Sequence, residues 1–263
     1  MTDISLPHHI ECALLAHILT CDPDSLMGGR ISLNEAQQKE LASNKAKFHM
    51  GTPLSRIIGY REFWSLKFFL NNATLDPRPD SETLVECALD SIPKDKPCQI
   101  LDLGTGTGCL ALSVLKERPL AQATLTDFSA HALEQARENA QYHAIIDRCT
   151  FIETSWLEGI QGHFDYILSN PPYISPSDYQ DLDENVKHYD PIDALVAHNN
   201  GLACYQTILS QLSEQNISFN KAFFEIGFDQ SNQIQELITK AGFKVEKIQK
   251  DLAHHPRVVI LSA

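Results

Sequence analysis

Asn170-Pro171-Pro172-Tyr173 combines residue types suited to one task, holding a planar –NH2 group. It follows Phe164-Asp165-Tyr166-Ile167-Leu168-Ser169, an apolar run that reads as a buried strand ending in a polar loop. Asn170 offers an amide oxygen as an acceptor. Two consecutive prolines lack N–H groups and fix φ, so the loop stays extended and the Asn170 and Pro171 carbonyls can face a ligand. Tyr173 adds a flat ring for stacking. Asn and Pro are also ordinary where a strand simply enters a turn, so the tetrapeptide takes its meaning from a second motif upstream.

That motif is Asp102-Leu103-Gly104-Thr105-Gly106-Thr107-Gly108, which leaves one predicted strand and enters a predicted helix. Glycine lets backbone pass close to a ligand and adopt positive φ. The spacing is G-x-G-x-G, not the G-x-G-x-x-G of dinucleotide sites. Asp127 closes the next predicted strand, about twenty residues further on, where an acid can accept both hydroxyls of a ribose. Together these residues describe a nucleoside-containing cofactor lying across a sheet edge. NAD is the obvious rival; the loop spacing and Asn-Pro-Pro-Tyr together favour S-adenosylmethionine.

Alternating elements must carry these loops. From residue 97 onward, strands are predicted at 99–103, 123–127, 150–152, 164–169 and 221–226, with helices at 109–117, 130–143, 202–212 and 230–241 between or after them. Residues 243–248 and 257–261 read as a final antiparallel hairpin. The pattern implies an α/β doubly wound, mostly parallel sheet of Rossmann-like type, its last strand antiparallel, with ligands beyond the carboxyl ends of the strands. Residues 1–58 read as a small helical domain: Ile10, Ala13, Leu14, His17 and Ile18 recur at helical spacing, Asp22-Pro23-Asp24 interrupts, and a more polar helix spans 33–50. Such a domain serves either as a substrate-docking module or as a cap on the catalytic core. Residues 59–76 read as a β-hairpin bridging the domains, with Asn71-Asn72 as a turn. Residues 77–263 form the catalytic domain. Pro77-Arg78-Pro79-Asp80-Ser81-Glu82 leads into a helix over 81–91 with Ser81 or Asp80 as N-cap. It is either an anion-friendly corner or a plain junction.

Composition narrows the function classes. A chain of 263 residues is long enough for a full core and one or two domains. No apolar run approaches the ~18–20 residues of a membrane span, and Met1–Pro7 lacks the basic and apolar regions of a leader peptide. The seven cysteines are scattered without C-x-x-C, which fits reduced thiols in a cytoplasmic protein and argues against a disulfide scaffold or zinc site. His131, His143, His254 and His255 show no ligand spacing, so no metal is expected. The net charge of −13 opposes non-specific nucleic-acid binding, which runs on Lys and Arg. A monomer is the default.

The two motifs together resemble class I S-adenosylmethionine-dependent methyltransferases acting on a planar amino or amide nitrogen. Asn-Pro-Pro-Tyr alone is shared with adenine-N6 DNA methyltransferases and some ribosomal-RNA guanine methyltransferases. The flanking segments narrow the match: Pro53 to Gly59, the aromatic hairpin with Phe63, Pro77 to Glu82, Ser155-Trp156, Asp190-Pro191-Ile192-Asp193-Ala194-Leu195 and Gly201-Leu202. In that order they are similar to the peptide chain release factor glutamine methyltransferases, over about residues 50 to 263. The resemblance implies methylation of the side-chain amide of the glutamine in the Gly-Gly-Gln motif of release factors. It implies that Gly104, Thr105, Gly106, Thr107 and Gly108 cradle the cofactor, Asp127 holds its ribose and Trp156 lies beside its adenine. Asn170 would touch both cofactor and substrate, and Pro171, Pro172 and Tyr173 would complete the glutamine pocket. Three features depart from the family: Asp76 replaces an aliphatic residue, Asp190-Pro191 replaces Glu-Pro, and the N-terminal domain is short.

An amide nitrogen is a poor nucleophile whose proton becomes acidic only as the new bond forms. The expected chemistry is therefore positioning, with Asn170 Oδ1 and the Pro171 carbonyl accepting the two N–H groups. The alternatives are a nucleic-acid methyltransferase using the same pocket on a flipped base, a dehydrogenase, and a non-catalytic scaffold.

Overall fold

The computed structural model describes residues 6–26, 31–215 and 217–263, and the chain divides into two units, residues 1–60 and 61–263. Residues 1–5, part of the segment read above for a leader, lie outside the described range. In the first unit, helices α1 (His8–Leu19), α2 (Glu35–His49) and α3 (Leu54–Ile58) enclose Leu6, Ile10, Leu14 and Ile58. Asn34 starts α2 with a reciprocal cap, its side chain accepting from Gln37 N while Gln37 accepts from Asn34 N. Lys45 of α2 pairs with Glu11 of α1. Gly59 ends α3 at φ 79°.

The expected hairpin follows in the chain, β1 (Tyr60–Phe63) and β2 (Leu66–Phe69). Its reversal lies at Trp64-Ser65, not at Asn71-Asn72. Both turn residues take positive φ, 52° and 55°, the geometry that matches strand twist but usually selects Gly or Asn. Neighbouring contacts outweigh that preference: Trp64 N donates to Glu82 Oε1 at 2.8 Å, and the buried Phe63 and Phe68 rings pack edge-on at 6.1 Å. Asn71 closes a separate turn, its Oδ1 accepting from Ala73 N at 2.9 Å.

Beyond the hairpin, α4 (Glu82–Ser91) precedes the sheet. There follow β3 (Cys98–Leu103), α5 (Cys109–Glu117), β4 (Ala121–Asp127), α6 (Ala130–Tyr142), β5 (Cys149–Glu153) and β6 (Gly162–Ser169). Two short helices, α7 (Glu184–Tyr189) and α8 (His198–Gly201), lead to α9 (Ala203–Glu214), β7 (Ile217–Glu225), α10 (Ser231–Lys240), β8 (Lys244–Lys250) and β9 (Pro256–Ser262). Among the described residues the strands form one seven-stranded sheet in the order β5-β4-β3-β6-β7-β9-β8. All pairings are parallel except those of β9, which runs antiparallel between β7 and β8, as expected for the last strand. Alternate residues bury on opposite faces: Ile100 and Phe223 join one core layer with α4, α5 and α6, while Leu101, Ala222 and Phe224 join another with α9 and α10. No helix among the described residues is long and apolar enough to cross a membrane.

Candidate active site

The strand order reverses between β3 and β6, where an open α/β sheet leaves a crevice. Register sets what meets there. Leu103 pairs with Thr126 on one side and Ser169 on the other, and Ser169 pairs with Phe224. The next residues are therefore Gly104, Asp127, Asn170 and Glu225, at one level on four adjacent strands. Ser169 Oγ donates to Leu103 O at 2.8 Å and ties the two central strand ends together.

A cavity of about 610 Å³ opens above this edge. Its wall includes Gly104, Thr105, Gly106, Thr107, Asp127, Trp156, Asn170 and Pro172. Gly108, Pro171 and Tyr173 lie outside that wall. Gly108 caps α5 at φ 81°, a conformation that favours glycine, and a Cβ there would also come within 2.9 Å of Leu112 Cδ1.

The glycine loop is shaped by acids beneath and beside it. Asp102 is fully buried and absent from the wall; its Oδ2 accepts from Thr105 Oγ1 at 2.6 Å. Burial pushes its pKa up to about 7, against the pull of Thr105. Asp127 Oδ2 accepts from Gly106 N and its Oδ1 from Ser129 N, both at 2.9 Å. Each oxygen keeps a further lone pair. Burial raises the Asp127 pKa and those backbone N–H groups oppose the rise. Gly104 and Gly106 hold φ of 67° and 55°. A Cβ on Gly104 would meet the Trp156 ring at 3.3 Å, whereas one on Gly106 would meet nothing within 4 Å. The indole thus lies over Gly104, on a residue that itself holds φ 54°. Asn139 locks the loop from behind: its Nδ2 donates to Thr107 O at 2.9 Å and Phe69 O at 3.1 Å, and its Oδ1 accepts from Phe69 N at 2.8 Å. Backbone N–H groups, a carboxylate at a strand end and an aromatic face are the parts that hold a nucleoside.

The Asn170 end is assembled from side chains. Asn170 Nδ2 donates to Ser81 Oγ at 3.1 Å, which leaves Oδ1 as the end of the amide free to accept. Ser81 makes no helix cap, contrary to the sequence expectation, because it sits at φ −67°, ψ −15° after the 3₁₀ turn Pro79–Ser81. Tyr173 is fixed at both ends. Its hydroxyl donates to Glu225 Oε1 at 3.3 Å, and its carbonyl accepts from Gln230 Nε2 at 3.0 Å. Gln230 Oε1 accepts from Gly227 N at 3.0 Å. Gly201, at φ 82°, lies against the same loop: a Cβ there would stand 2.0 Å from Tyr173 O. Ser81, Glu225 and Gln230 were not singled out from sequence as site residues. For Glu225 a signal existed, an acid at the end of the apolar strand Ala222-Phe223-Phe224.

Two departures from the family pattern form one cluster. Asp76 takes Arg61 in a two-pronged pair, Nε to Oδ1 at 2.7 Å and Nη2 to Oδ2 at 2.6 Å. That pairing raises the Arg61 pKa, with desolvation working the other way. Asp190 Oδ1 accepts from Asp76 N at 3.2 Å and Oδ2 from Arg78 Nη2 at 2.6 Å. Arg78, part of the Pro-Arg-Pro corner, thus lines the cavity already paired with an anion.

Comparisons with known proteins agree with this architecture. A profile of the family described as "Methyltransferase small domain" matches residues 78–187. A release factor glutamine methyltransferase of Bradyrhizobium diazoefficiens is 40% identical over 231 residues, 86% of this chain and 78% of that protein. One of Escherichia coli is 35% identical over 233 residues, 88% of this chain and 83% of that protein. The solved structure of a methyltransferase from Pyrococcus furiosus is similar with a TM-score of 0.56 and 18% identity, covering 87% of this chain and 98% of that one. At that identity the likeness concerns the fold, the Rossmann-like sheet of class I methyltransferases.

Proposed function

The chain belongs to the release factor glutamine methyltransferases, and from that premise we propose that it methylates the side-chain amide nitrogen of the glutamine in the Gly-Gly-Gln motif of peptide chain release factors, with S-adenosylmethionine as donor. The observation that carries the reading is the orientation of Asn170: its nitrogen is engaged by Ser81 and its oxygen is left as an acceptor at the wall of the cavity that the glycine loop also lines. A pocket for an –NH2 group needs acceptors, and the two prolines that follow bring no N–H to compete.

The cavity fits the proposed cofactor. Its volume lies in the range of about 300–1,000 Å³ typical of small-molecule sites. Gly104 and Gly106 bring backbone to the wall, Asp127 retains lone pairs for ribose hydroxyls, and Trp156 offers a ring face. When bound, S-adenosylmethionine supplies an electrophilic methyl group on a sulfonium sulfur. The chain's own contribution is to hold the acceptor. Asn170 Oδ1 and the Pro171 carbonyl accept the two amide hydrogens, so the nitrogen lone pair turns away from them. Both dipoles are aimed at the positive charge that develops on nitrogen. Fixed orientation of this kind is worth up to ~7–11 kcal/mol of barrier in favourable cases. The Tyr173 ring packs on the amide face, held by Glu225 and Gln230. No base is required; the proton leaves once the N–C bond has formed.

The helical unit serves as the docking module in this reading. Its α2 is polar and exposed along most of its length, with Asn44 the buried residue among those described. The net charge of −13 and the free cysteines fit a cytoplasmic enzyme acting on protein rather than nucleic acid.

The test is methyl transfer from labelled S-adenosylmethionine, offered in parallel a release factor, its Gly-Gly-Gln to Gly-Gly-Ala variant, RNA and DNA. Label in the intact release factor alone, with a one-methyl mass gain on the Gln peptide, is the expected result. Label in nucleic acid instead would overturn it.

A further inference from the structure

Glu225 is a carboxylic acid wholly buried at the end of an apolar strand, one strand away from Asn170. Its Oε1 accepts from the Tyr173 hydroxyl at 3.3 Å, and its Oε2 makes no well-formed hydrogen bond within the protein. The Ser81 hydroxyl stands beside the carboxylate and favours its ionised form. The oxygen of that hydroxyl already accepts from Asn170 Nδ2 at 3.1 Å. Ser81 is therefore the link between a buried acid and the amide assigned above to hold the substrate nitrogen.

A carboxylate can only accept hydrogen bonds, and a hydroxyl has one proton to give. We propose, resting on the function given above, that Ser81 and Glu225 are positioning residues for the acceptor: ionised Glu225 draws the Ser81 proton, so the Ser81 oxygen can only accept, and Asn170 must give it the NH2 end and present Oδ1 to the substrate. Protonation of Glu225 reverses the chain. The acid's own O–H then turns to the Ser81 oxygen, the Ser81 hydroxyl points outward, and Asn170 gains by turning its oxygen inward. The NH2 group of Asn170 would then face the NH2 group of the glutamine, donor against donor.

The surroundings keep this proton exchangeable near neutrality. The groups that act on Glu225 are Ser81, Arg257, Tyr173 and Asp80, and the buried Tyr205 and half-buried Cys109 lie close enough to feel its charge. Arg257 is shared with Asp251 at 3.0 Å and Asp80 at 3.2 Å, so it offsets the cost of the charge without cancelling it. Burial dominates and lifts Glu225 to about 7, with Ser81, Arg257 and Tyr173 pulling down and Asp80 up. Tyr205 donates its hydroxyl to the Glu225 carbonyl at 2.6 Å and fixes the backbone there.

The experiment compares the full-length enzyme with Glu225→Gln and Ser81→Ala. It measures kcat and KM for a release factor between about pH 5.5 and 8.5, with S-adenosylmethionine binding by titration calorimetry as the control for folding. Wild-type kcat is expected to fall about tenfold per pH unit below roughly pH 7, with KM little changed, as a single required ionised group dictates. Both variants should lose at least about tenfold in kcat near pH 8, keep cofactor affinity, and show no fall on the acid side. Either variant retaining wild-type kcat together with the wild-type pH profile would overturn the proposal. If Glu225→Gln fails to bind cofactor, Ser81→Ala alone decides by the same criteria. Wild-type protein that transfers no methyl to release factor would overturn the function reading and this inference together; active wild type with unaltered variants would overturn this inference alone.

Discussion

The two ends of the cavity are made of different material. At the glycine loop the ligand-facing surface is largely backbone, and its support comes from the same strand, its neighbour and the helix after that, through Asp102, Asp127 and the α6 residue Asn139. At Asn170 the surface is an amide whose sense is set by side chains from residues far apart in the chain, Ser81 before β3 and Glu225 at the end of β7. The first end bears on the cofactor and the second on the substrate nitrogen. Binding and turnover should therefore separate under mutation.

The largest separation is expected from Asn170→Ala. Turnover should drop by at least about 10²–10³-fold, the loss typical of one preorganised dipole in an active site, while the cofactor dissociation constant stays near that of the wild type. A parallel loss of cofactor affinity would merge the two ends. Next comes Gly201→Ala. A Cβ at φ 82° and 2.0 Å from Tyr173 O must displace the Asn-Pro-Pro-Tyr loop. Backbone strain alone is about 1–3 kcal/mol at such a position, so a lower Tm and weaker turnover are expected with cofactor binding retained. Unaltered Tm and kcat would mean that Gly201 does not brace the loop.

Asp127→Asn probes the other end. Cofactor affinity should weaken by about 1–3 kcal/mol, the scale of a hydrogen bond to a charged group, while kcat at saturating cofactor is preserved. An unchanged dissociation constant would remove Asp127 from the site. A separate effect concerns stability. Asp102 and Glu225 are both raised to about 7 by burial, whereas carboxyls in an unfolded chain titrate near ~4. Between those values the folded chain binds more protons than the unfolded one, so these two groups make stability fall as pH rises from about 4 to 7. Denaturant midpoints of wild type and Asp102→Asn across that window check this: the wild-type midpoint should decline relative to the variant as pH rises. Parallel curves would contradict it.

What could be read from sequence follows the same division. Glycines at 104 and 106 exist because the backbone needs positive φ, and that need appears directly as residue type and spacing. All seven strands of the sheet were legible from apolar runs, the well-buried β3, β4, β6, β7 and β9 and the more exposed β5 and β8 alike. Ser81 was not legible as a site residue, because a serine before a helix has an ordinary use as a cap that only the structure removes. The hairpin turn was missed because Trp64 and Ser65 carry no turn signature; Glu82 and the Phe63–Phe68 pair impose the conformation from elsewhere. Asp76 looked like an anomaly until Arg61, fifteen residues earlier, supplied its partner.

Asn139 gives the glycine loop and the aromatic hairpin a single fastener. One amide side chain holds the Thr107 and Phe69 carbonyls with its nitrogen and the Phe69 N–H with its oxygen. The two segments consequently share a fluctuation. Deuterium exchange at the Phe69 amide requires Asn139 to let go, and that release frees the Thr107 carbonyl in the same event. An exchange rate at Phe69, a residue outside the cavity wall, thus serves as a clock for opening of the nucleoside cradle.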